Sequence, residues 1–218
     1  MRGVFVTGTD TGVGKSVLSA AICAGLTAAG EEVAAFKPVV TGLDDPPGEW
    51  PADHELLASV TGQAPEEVSP LRFGPAVSPH LAAELEGARI EPASLLAAAR
   101  RHELVVCEGV GGLMVPITPG YLVRDLAVDL GLPVVVAARP GLGTINHTLL
   151  TLEAARAAGL DVRAVVLTPW PEEPGPLELS NRATIAALGS VAVEALPFTS
   201  MAALREAGST LPVGSWLV

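Results

Sequence analysis

Short apolar runs alternate with longer amphipathic or alanine-rich segments from one end of the chain to the other. The runs Val4–Val6, Val33–Phe36, Leu104–Cys107, Pro133–Ala138, Val162–Leu167 and Val191–Leu196 predict strands. Several are continuously apolar rather than apolar at every second position. A strand that must bury both faces belongs in a parallel sheet with helices on each side. The segments Ser16–Ala29, Asp53–Val60, Pro92–His102 and Thr144–Ala158 predict helices, the first closed by Gly30. With right-handed crossovers, the pattern predicts an α/β fold: a doubly wound, mainly parallel sheet with helices on both faces. Two proline-rich stretches, Leu43–Pro51 and Pro169–Pro176, predict long loops. There is no internal repeat and no low-complexity linker, so residues 1–218 are expected to form a single domain.

Composition narrows the setting. Hydrophobic residues make up 49% of the 218 positions, charged residues 17%, and the net charge is −11. No apolar run approaches the roughly 18 residues that a bilayer span needs. The first strand starts at Val4 without the charged and apolar regions of a signal peptide, so a cytoplasmic protein is expected. The acidic balance argues against nucleic acid or anionic membranes as main partners. Cys23 and Cys107 lie in a predicted helix and a predicted strand, where small buried hydrophobes are expected; their spacing offers neither a metal site nor a disulfide framework. The four histidines show no catalytic spacing. Trp50, Trp170 and Trp216 fall in loop-like segments, where they are expected to plug the edge of the core, with Trp50 able to cover a site.

Charge placement points to chemistry. The chain has two lysines, and arginine supplies the remaining basic residues. Lys15 closes the glycine-rich string Gly8-Thr9-Asp10-Thr11-Gly12-Val13-Gly14-Lys15-Ser16, directly after the first strand. Lys37 ends the second strand, in Ala34-Ala35-Phe36-Lys37-Pro38. A lysine ammonium is compact and mobile, suited to charge that moves, where arginine offers a fixed fork. The first string approximates the G-x-x-x-x-G-K-[ST] phosphate loop, although Thr9 stands where the first glycine belongs and Gly8 lies one place back. A P-loop NTPase type of domain follows, with Gly12, Val13, Gly14, Lys15, Ser16 and Val17 around the nucleotide phosphates. Ser16 is the expected hydroxyl ligand of Mg²⁺. Glu108 ends a buried strand, where an unpaired carboxylate is costly and a metal or another cation relieves it. Asp53 reads either as a metal ligand or as the N-cap of its helix, with Asp44 and Asp45 competing nearby. The helix start at Gly141-Leu142-Gly143-Thr144-Ile145-Asn146 suits an anion through its free N–H groups, or is a glycine turn with Thr144 as N-cap.

The string Val6-Thr7-Gly8-Thr9-Asp10-Thr11-Gly12-Val13-Gly14-Lys15-Ser16 resembles the loop of the dethiobiotin synthetases. The resemblance continues, in the family's order, through Lys37-Pro38-Val39, Ser78-Pro79-His80, Glu108-Gly109-Val110-Gly111-Gly112 and Gly143-Thr144-Ile145-Asn146-His147. It implies an ATP- and Mg²⁺-dependent ligase that joins CO₂ to 7,8-diaminononanoate and closes the ureido ring of dethiobiotin, through a carbamate and a carbamic–phosphoric anhydride. On this resemblance Lys37, Lys15 and Thr11 are catalytic. Asp53 and Glu108 join Ser16 on the metal, and Gly109, Val110, Gly111, Thr168, Pro197, Phe198 and Thr199 belong to the nucleotide site. Thr41 contacts the diamine, and Gly143, Thr144 and Asn146 receive the substrate carboxylate across a homodimer interface.

Two positions depart from the family's pattern. Gly12 replaces an acidic residue found in some members. Thr168-Pro169 stands where an Asn-Asp pair commonly reads adenine, and Pro169 has no backbone N–H to offer. Looser nucleobase selectivity is expected, or reading by backbone groups near Pro197-Phe198-Thr199. Two other readings share this nucleotide domain. A partition or septum-positioning switch ATPase carries a signature lysine at the position of Asp10. A cobyrinate-type amidation synthetase needs a glutaminase domain, for which no block of residues here is long enough.

Overall fold

The computed structural model describes residues 1–46 and 48–217; Pro47, inside the loop expected over Leu43–Pro51, and Val218 lie outside the described residues. In chain order, β1 (Arg2–Gly8) leads through the glycine loop into α1 (Lys15–Ala28), β2 (Ala34–Phe36) and β3 (Val39–Val40). There follow α2 (Asp53–Thr61), α3 (Pro65–Val68), β4 (Leu71–Arg72), α4 (Pro79–Leu85), α5 (Pro92–Ala99) and β5 (Leu104–Glu108). A hairpin of β6 (Pro116–Thr118) and β7 (Tyr121–Leu122) precedes α6 (Val123–Leu130) and β8 (Val134–Ala138). The chain closes with α7 (Thr144–Ala157), β9 (Val162–Trp170), α8 (Pro176–Gly189), β10 (Ala192–Pro197) and α9 (Leu204–Ser209).

Six strands form one sheet in the order β10-β9-β8-β1-β5-β2, every neighbouring pair parallel. The doubly wound sheet expected from the apolar runs is the one observed. From β1 the chain crosses to β2 at one edge, returns to β5, and then passes over β1 to β8. The order therefore reverses beside β1, and the crevice outside the carboxyl ends of strands at such a reversal is where α/β sheets bind ligands.

Continuous apolarity has a direct cause. Val4 and Val6 of β1, Val106 of β5 and Val135 of β8 face a core completed by Leu18 and Ile22 of α1, Leu57 of α2, Leu204 of α9 and Trp216. Phe5, Val105, Cys107 and Val134 face the opposite core, closed by Leu95 of α5, Leu126 of α6, Leu152 of α7 and Ile185 of α8. Neither face of these strands meets water, so both faces are apolar except near the carboxyl ends, where Thr7 and Glu108 lie. Each such buried apolar side chain contributes roughly 1.5–3 kcal/mol. Cys23 and Cys107 are free and wholly buried, and burial raises both thiols far above their ordinary range.

Several expectations need correction. The residue at the N-cap of α2 is Ala52, and Asp53 is the first helical residue, with no side-chain cap; Asp53 is thus free for other partners. Gly143, not Thr144, is the N-cap of α7. Helix α5 ends at Ala99 rather than His102. Strand β9 runs through Pro169 to Trp170, into the loop expected over Pro169–Pro176. The β8 ladder has already ended at Ala138 opposite Leu167, so Pro169 has no donor to withhold on that side. Pro176 begins α8, at the position where a missing N–H costs nothing. Trp216 is buried in the core rather than at its edge, and Trp170 lies under the Arg182 guanidinium, 5.8 Å from the ring centroid. Helix α6 is an addition to the expected helices, although Val123, Leu126, Ala127 and Leu130 follow the i, i+3, i+4, i+7 pattern and are all buried.

Candidate active site

The glycine loop leaves β1 at Gly8 and enters α1 at Lys15. A Cβ on Gly8 would lie 2.7 Å from Val13 Cγ2 and 3.0 Å from Lys15 Cδ. The loop folds back over this residue, which explains why glycine stands at position 8 although the common motif places it one residue later. Gly14 is the N-cap of α1 with φ 88°, in the left-handed region that favours glycine. A Cβ there would also meet Thr168 Cγ2 at 2.9 Å. Asp10 organises the rest: its Oδ1 accepts from the Thr11 N–H at 2.7 Å, and its carbonyl accepts from Lys15 Nζ at 2.8 Å. The N–H groups of the first turn of α1 have no partner within the helix and face outward as anion donors.

Lys15 is buried, and burial, reinforced by the like charge of Lys37, lowers its ammonium from the ordinary lysine range to about 8. Lys37 immediately follows β2. Since β2 pairs with β5 in the register Phe36 opposite Cys107, Lys37 lies opposite Glu108. Its Nζ is 2.6 Å from Glu108 Oε1 and 2.5 Å from Asp53 Oδ2. Burial disfavours its charge, but the two carboxylates outweigh burial and hold the ammonium well above the ordinary range. Burial likewise works to raise the Asp53 carboxyl, and Lys37 and Ser16 together hold it below its usual value.

Ser16 Oγ lies 2.6 Å from Asp53 Oδ1 and 2.8 Å from Glu108 Oε1. A hydroxyl has one proton and can donate to only one of these oxygens. Glu108 is wholly buried, and its second oxygen, Oε2, has no hydrogen-bond partner among the described residues. Lys37 also serves Glu108 Oε1, so Oε2 is the oxygen left without a donor, and the converging Ser16, Asp53 and Glu108 oxygens form a set that fits a hard cation taking oxygen ligands. Asp53 joins this cluster from the start of α2 and does not serve as a cap.

A cavity of about 690 Å³ opens above the cluster, within the range of small-molecule sites. Thr11, Gly12, Gly14, Lys15, Ser16 and Val17 line one side. Lys37, Thr41 and Asp53 line another, with Val110 and Gly111 from the segment after β5. Glu108 lies beneath the floor, and the Gly109 N–H is tied back to the Val6 carbonyl at 2.9 Å. Val13 points its side chain into the core. Thr168 is buried under the loop against Gly14. Pro197, Phe198 and Thr199 lie at the end of β10, outside the cavity lining, with Phe198 largely exposed. Gly143, Thr144 and Asn146 lie at the start of α7, also outside the lining, beside the almost fully exposed Leu142.

Sequence reasoning missed two features of this region. Ser78 and Pro79 line the cavity, and Ser78, at the N-cap of α4, makes no cap bond; its Oγ lies 3.0 Å from His80 Nδ1. The Ser78-Pro79-His80 string already stood among the resembling segments. Arg139, just beyond β8, donates to the Thr11 carbonyl at 3.3 Å and lies 3.9 Å from Asp10; an arginine directly after a buried apolar run was the available signal. Asp45 and Trp50, both named in the sequence analysis, also line the cavity.

A family model described as an AAA domain matches residues 2–198. The ATP-dependent dethiobiotin synthetase of Anaeromyxobacter sp. (strain Fw109-5) is 46% identical over 191 residues, 85% of either chain. The chain belongs to the dethiobiotin synthetase family. The synthetase of Mycobacterium avium (strain 104) is 43% identical, covering 88% of this chain and 85% of its own; that of Bacillus subtilis (strain 168) is 35% identical with the same coverage. Among solved structures, the signal recognition particle receptor FtsY from Elizabethkingia anophelis superposes with a TM-score of 0.50 at 14% identity, covering 98% of this chain and 64% of that one. At that identity the likeness concerns the fold alone.

Proposed function

We propose that this protein forms dethiobiotin from 7,8-diaminononanoate, CO₂ and ATP, releasing ADP and phosphate, as a biotin-biosynthetic ligase built on one P-loop synthetase domain over 1–218. The observation that carries the reading is that the chain's two lysines line one cavity, Lys15 from the start of α1 and Lys37 from just beyond β2, with Glu108 at the end of β5, the strand between β1 and β2. A phosphate loop alone explains Lys15. A second ammonium beside the γ-phosphate position calls for a second anion.

The chemistry supplies it. An amine of the substrate takes up CO₂ and loses a proton, giving a carbamate. A carbamate oxygen attacks the γ-phosphorus and displaces ADP, giving a carbamic–phosphoric anhydride. The second amine attacks the anhydride carbon, and inorganic phosphate leaves as the ring closes. Negative charge passes from carbamate to phosphoryl to phosphate, so catalysis rests on fixed positive charge and positioning. Lys15 and the loop N–H groups, including those of Gly12, Gly14 and Ser16, hold the outer phosphates. Lys37 neutralises the carbamate and the transferring oxygens, the Thr11 hydroxyl donates to the same group, and Thr41 meets the diamine. Ser16, Asp53 and Glu108 are the residues to hold Mg²⁺, which supplies positive charge to the phosphate oxygens when bound.

The homodimer belongs to the same proposal. The exposed Leu142 supports an interface at the start of α7, which would bring Gly143, Thr144 and Asn146 to a partner's substrate carboxylate. Sedimentation equilibrium tests it. A cytoplasmic location agrees with two free, buried cysteines.

The deciding experiment incubates the protein with diaminononanoate, bicarbonate, Mg²⁺ and ATP and identifies the product by mass. An ammonium about 4 Å from a unit negative charge, at an effective dielectric of about 20, is worth about 4 kcal/mol. Lys37→Ala should therefore lower kcat by roughly 10³. Phosphate release independent of the diamine, or stimulated instead by DNA or lipid, would favour the switch-ATPase reading.

A further inference from the structure

The carboxylates suited to the metal are already occupied by a cation. Lys37 Nζ contacts Glu108 Oε1 and Asp53 Oδ2, and Ser16 Oγ contacts the same Glu108 oxygen and the other oxygen of Asp53. Lys37 is 3% exposed, and Glu108 has no exposure. The cluster in this state holds two negative charges against one ammonium, with Glu108 Oε2 unpartnered among the described residues. Bound in this way, Lys37 has its charge satisfied by protein and none left over for a substrate anion.

We propose that Lys37 is the resident cation of the metal site and that a divalent cation displaces it. The lysine then turns into the cavity it lines, and only the metal-loaded protein presents a free ammonium to the carbamate. The inference rests on the synthetase reading for what Lys37 does next, but not for the exchange itself. The charge count gives the direction. A divalent ion on Ser16, Asp53 and Glu108 balances the two carboxylates by itself and leaves the ammonium in surplus, facing a double positive charge at short range. The side chain has an exit, since the cavity wall includes Lys37 itself and Thr41, four residues on. Lysine suits the role because its four-carbon stem lets the ammonium move, whereas a planar guanidinium would stay clamped across two carboxylates. The metal and the anionic intermediate are then coupled positively: each favours the conformation that receives the other.

Competition makes the proposal measurable without substrate or turnover. Mn²⁺ binding to the nucleotide-free protein, followed by loss of the free-ion electron paramagnetic resonance signal, should be at least tenfold tighter in Lys37→Met than in wild type. Lys37→Arg, which keeps the charge and clamps harder, should bind no more tightly than wild type. Equal affinities in wild type and Lys37→Met, weaker binding by Lys37→Met, or no binding by either up to millimolar Mn²⁺ would overturn the exchange. A second readout needs no variant that must fold. With two lysines in the chain, [¹³C]lysine labelling gives two side-chain Cε environments. Mg²⁺ alone should shift the Lys37 resonance by more than it shifts that of Lys15. A Lys37 signal unmoved while calorimetry records Mg²⁺ binding would refute the displacement. Dethiobiotin formation is assayed separately, so loss of the exchange leaves the proposed function standing, and failure to make dethiobiotin leaves the exchange to be judged on metal binding alone.

Discussion

Binding of ATP should draw a proton onto the protein at pH 8, and Lys15 should be its destination. In the ligand-free molecule this ammonium is buried and lies near Lys37, and it titrates at about 8. At pH 8 about half of the molecules carry the Lys15 proton, and at pH 7 about nine in ten do. A triphosphate against the loop places negative charge within a few ångströms, which raises such a group by about 1–3 pH units. The complex is then nearly fully protonated at pH 8. The expected uptake is about 0.4–0.5 proton per ATP at pH 8 and about 0.1 at pH 7. The sign follows: as pH rises through 8 the free protein loses a proton that the complex keeps, so apparent ATP affinity falls. Lys37 does not contribute, because Asp53 and Glu108 keep it charged throughout this window. Asp53 does not contribute, because its carboxyl is held below its ordinary range and stays ionised. Calorimetry in buffers of different ionisation enthalpy, with neither Mg²⁺ nor diamine present so that Lys37 keeps its carboxylate partners, counts the protons. Lys15→Arg, which has no titration in this range, is the control. An uptake below about 0.1 proton at pH 8, or the same uptake in Lys15→Arg, would refute the reasoning.

Three further outcomes are expected. Glu108→Leu removes the buried partner of Lys37 and should destabilise the protein by about 3–5 kcal/mol, read as a clear drop in thermal midpoint; an unchanged midpoint would mean the pair contributes little in place. Gly8→Ala puts a methyl group against Val13 and Lys15, so ATP affinity should fall at least tenfold, measured by nucleotide titration, while the far-ultraviolet circular dichroism spectrum is kept. Because Thr168 is buried beneath Gly14 and Pro169 has no N–H, turnover with CTP should lie within tenfold of turnover with ATP; a strong preference for ATP would locate base reading elsewhere, with Pro197-Phe198-Thr199 as the next candidates.

Much of the architecture was legible because burial on both faces leaves a strong mark. The runs that became β1, β5, β8 and β9 had no reason to be apolar throughout except helices on each side. Short elements left weaker marks. Helix α3 and the β3–β4 ladder are too brief to show a period, and α8 was hidden by a proline that opens a helix as readily as it ends a loop. Among site residues, Lys15 and Ser16 were readable because the loop is local: nine consecutive residues contain the turn, the donors and the helix start.

Lys37 and Glu108 were separately suspicious in the sequence, one for its rarity and the other for its place at the end of a buried strand. Their meeting was not readable, since they are 71 residues apart and nothing local states that β2 lies beside β5 rather than β1. The place of Asp53 was equally open, because a helix-start aspartate has the same local sequence whether or not it caps; the structure puts Ala52 at the N-cap and Asp53 against Ser16 at 2.6 Å. The sequence alone determined which residues carry the charge and which strands are buried, because those are properties of residues and short segments. Only the tertiary structure decided which charges share a site, because strand order brings distant positions within hydrogen-bonding distance and no local interaction encodes that order.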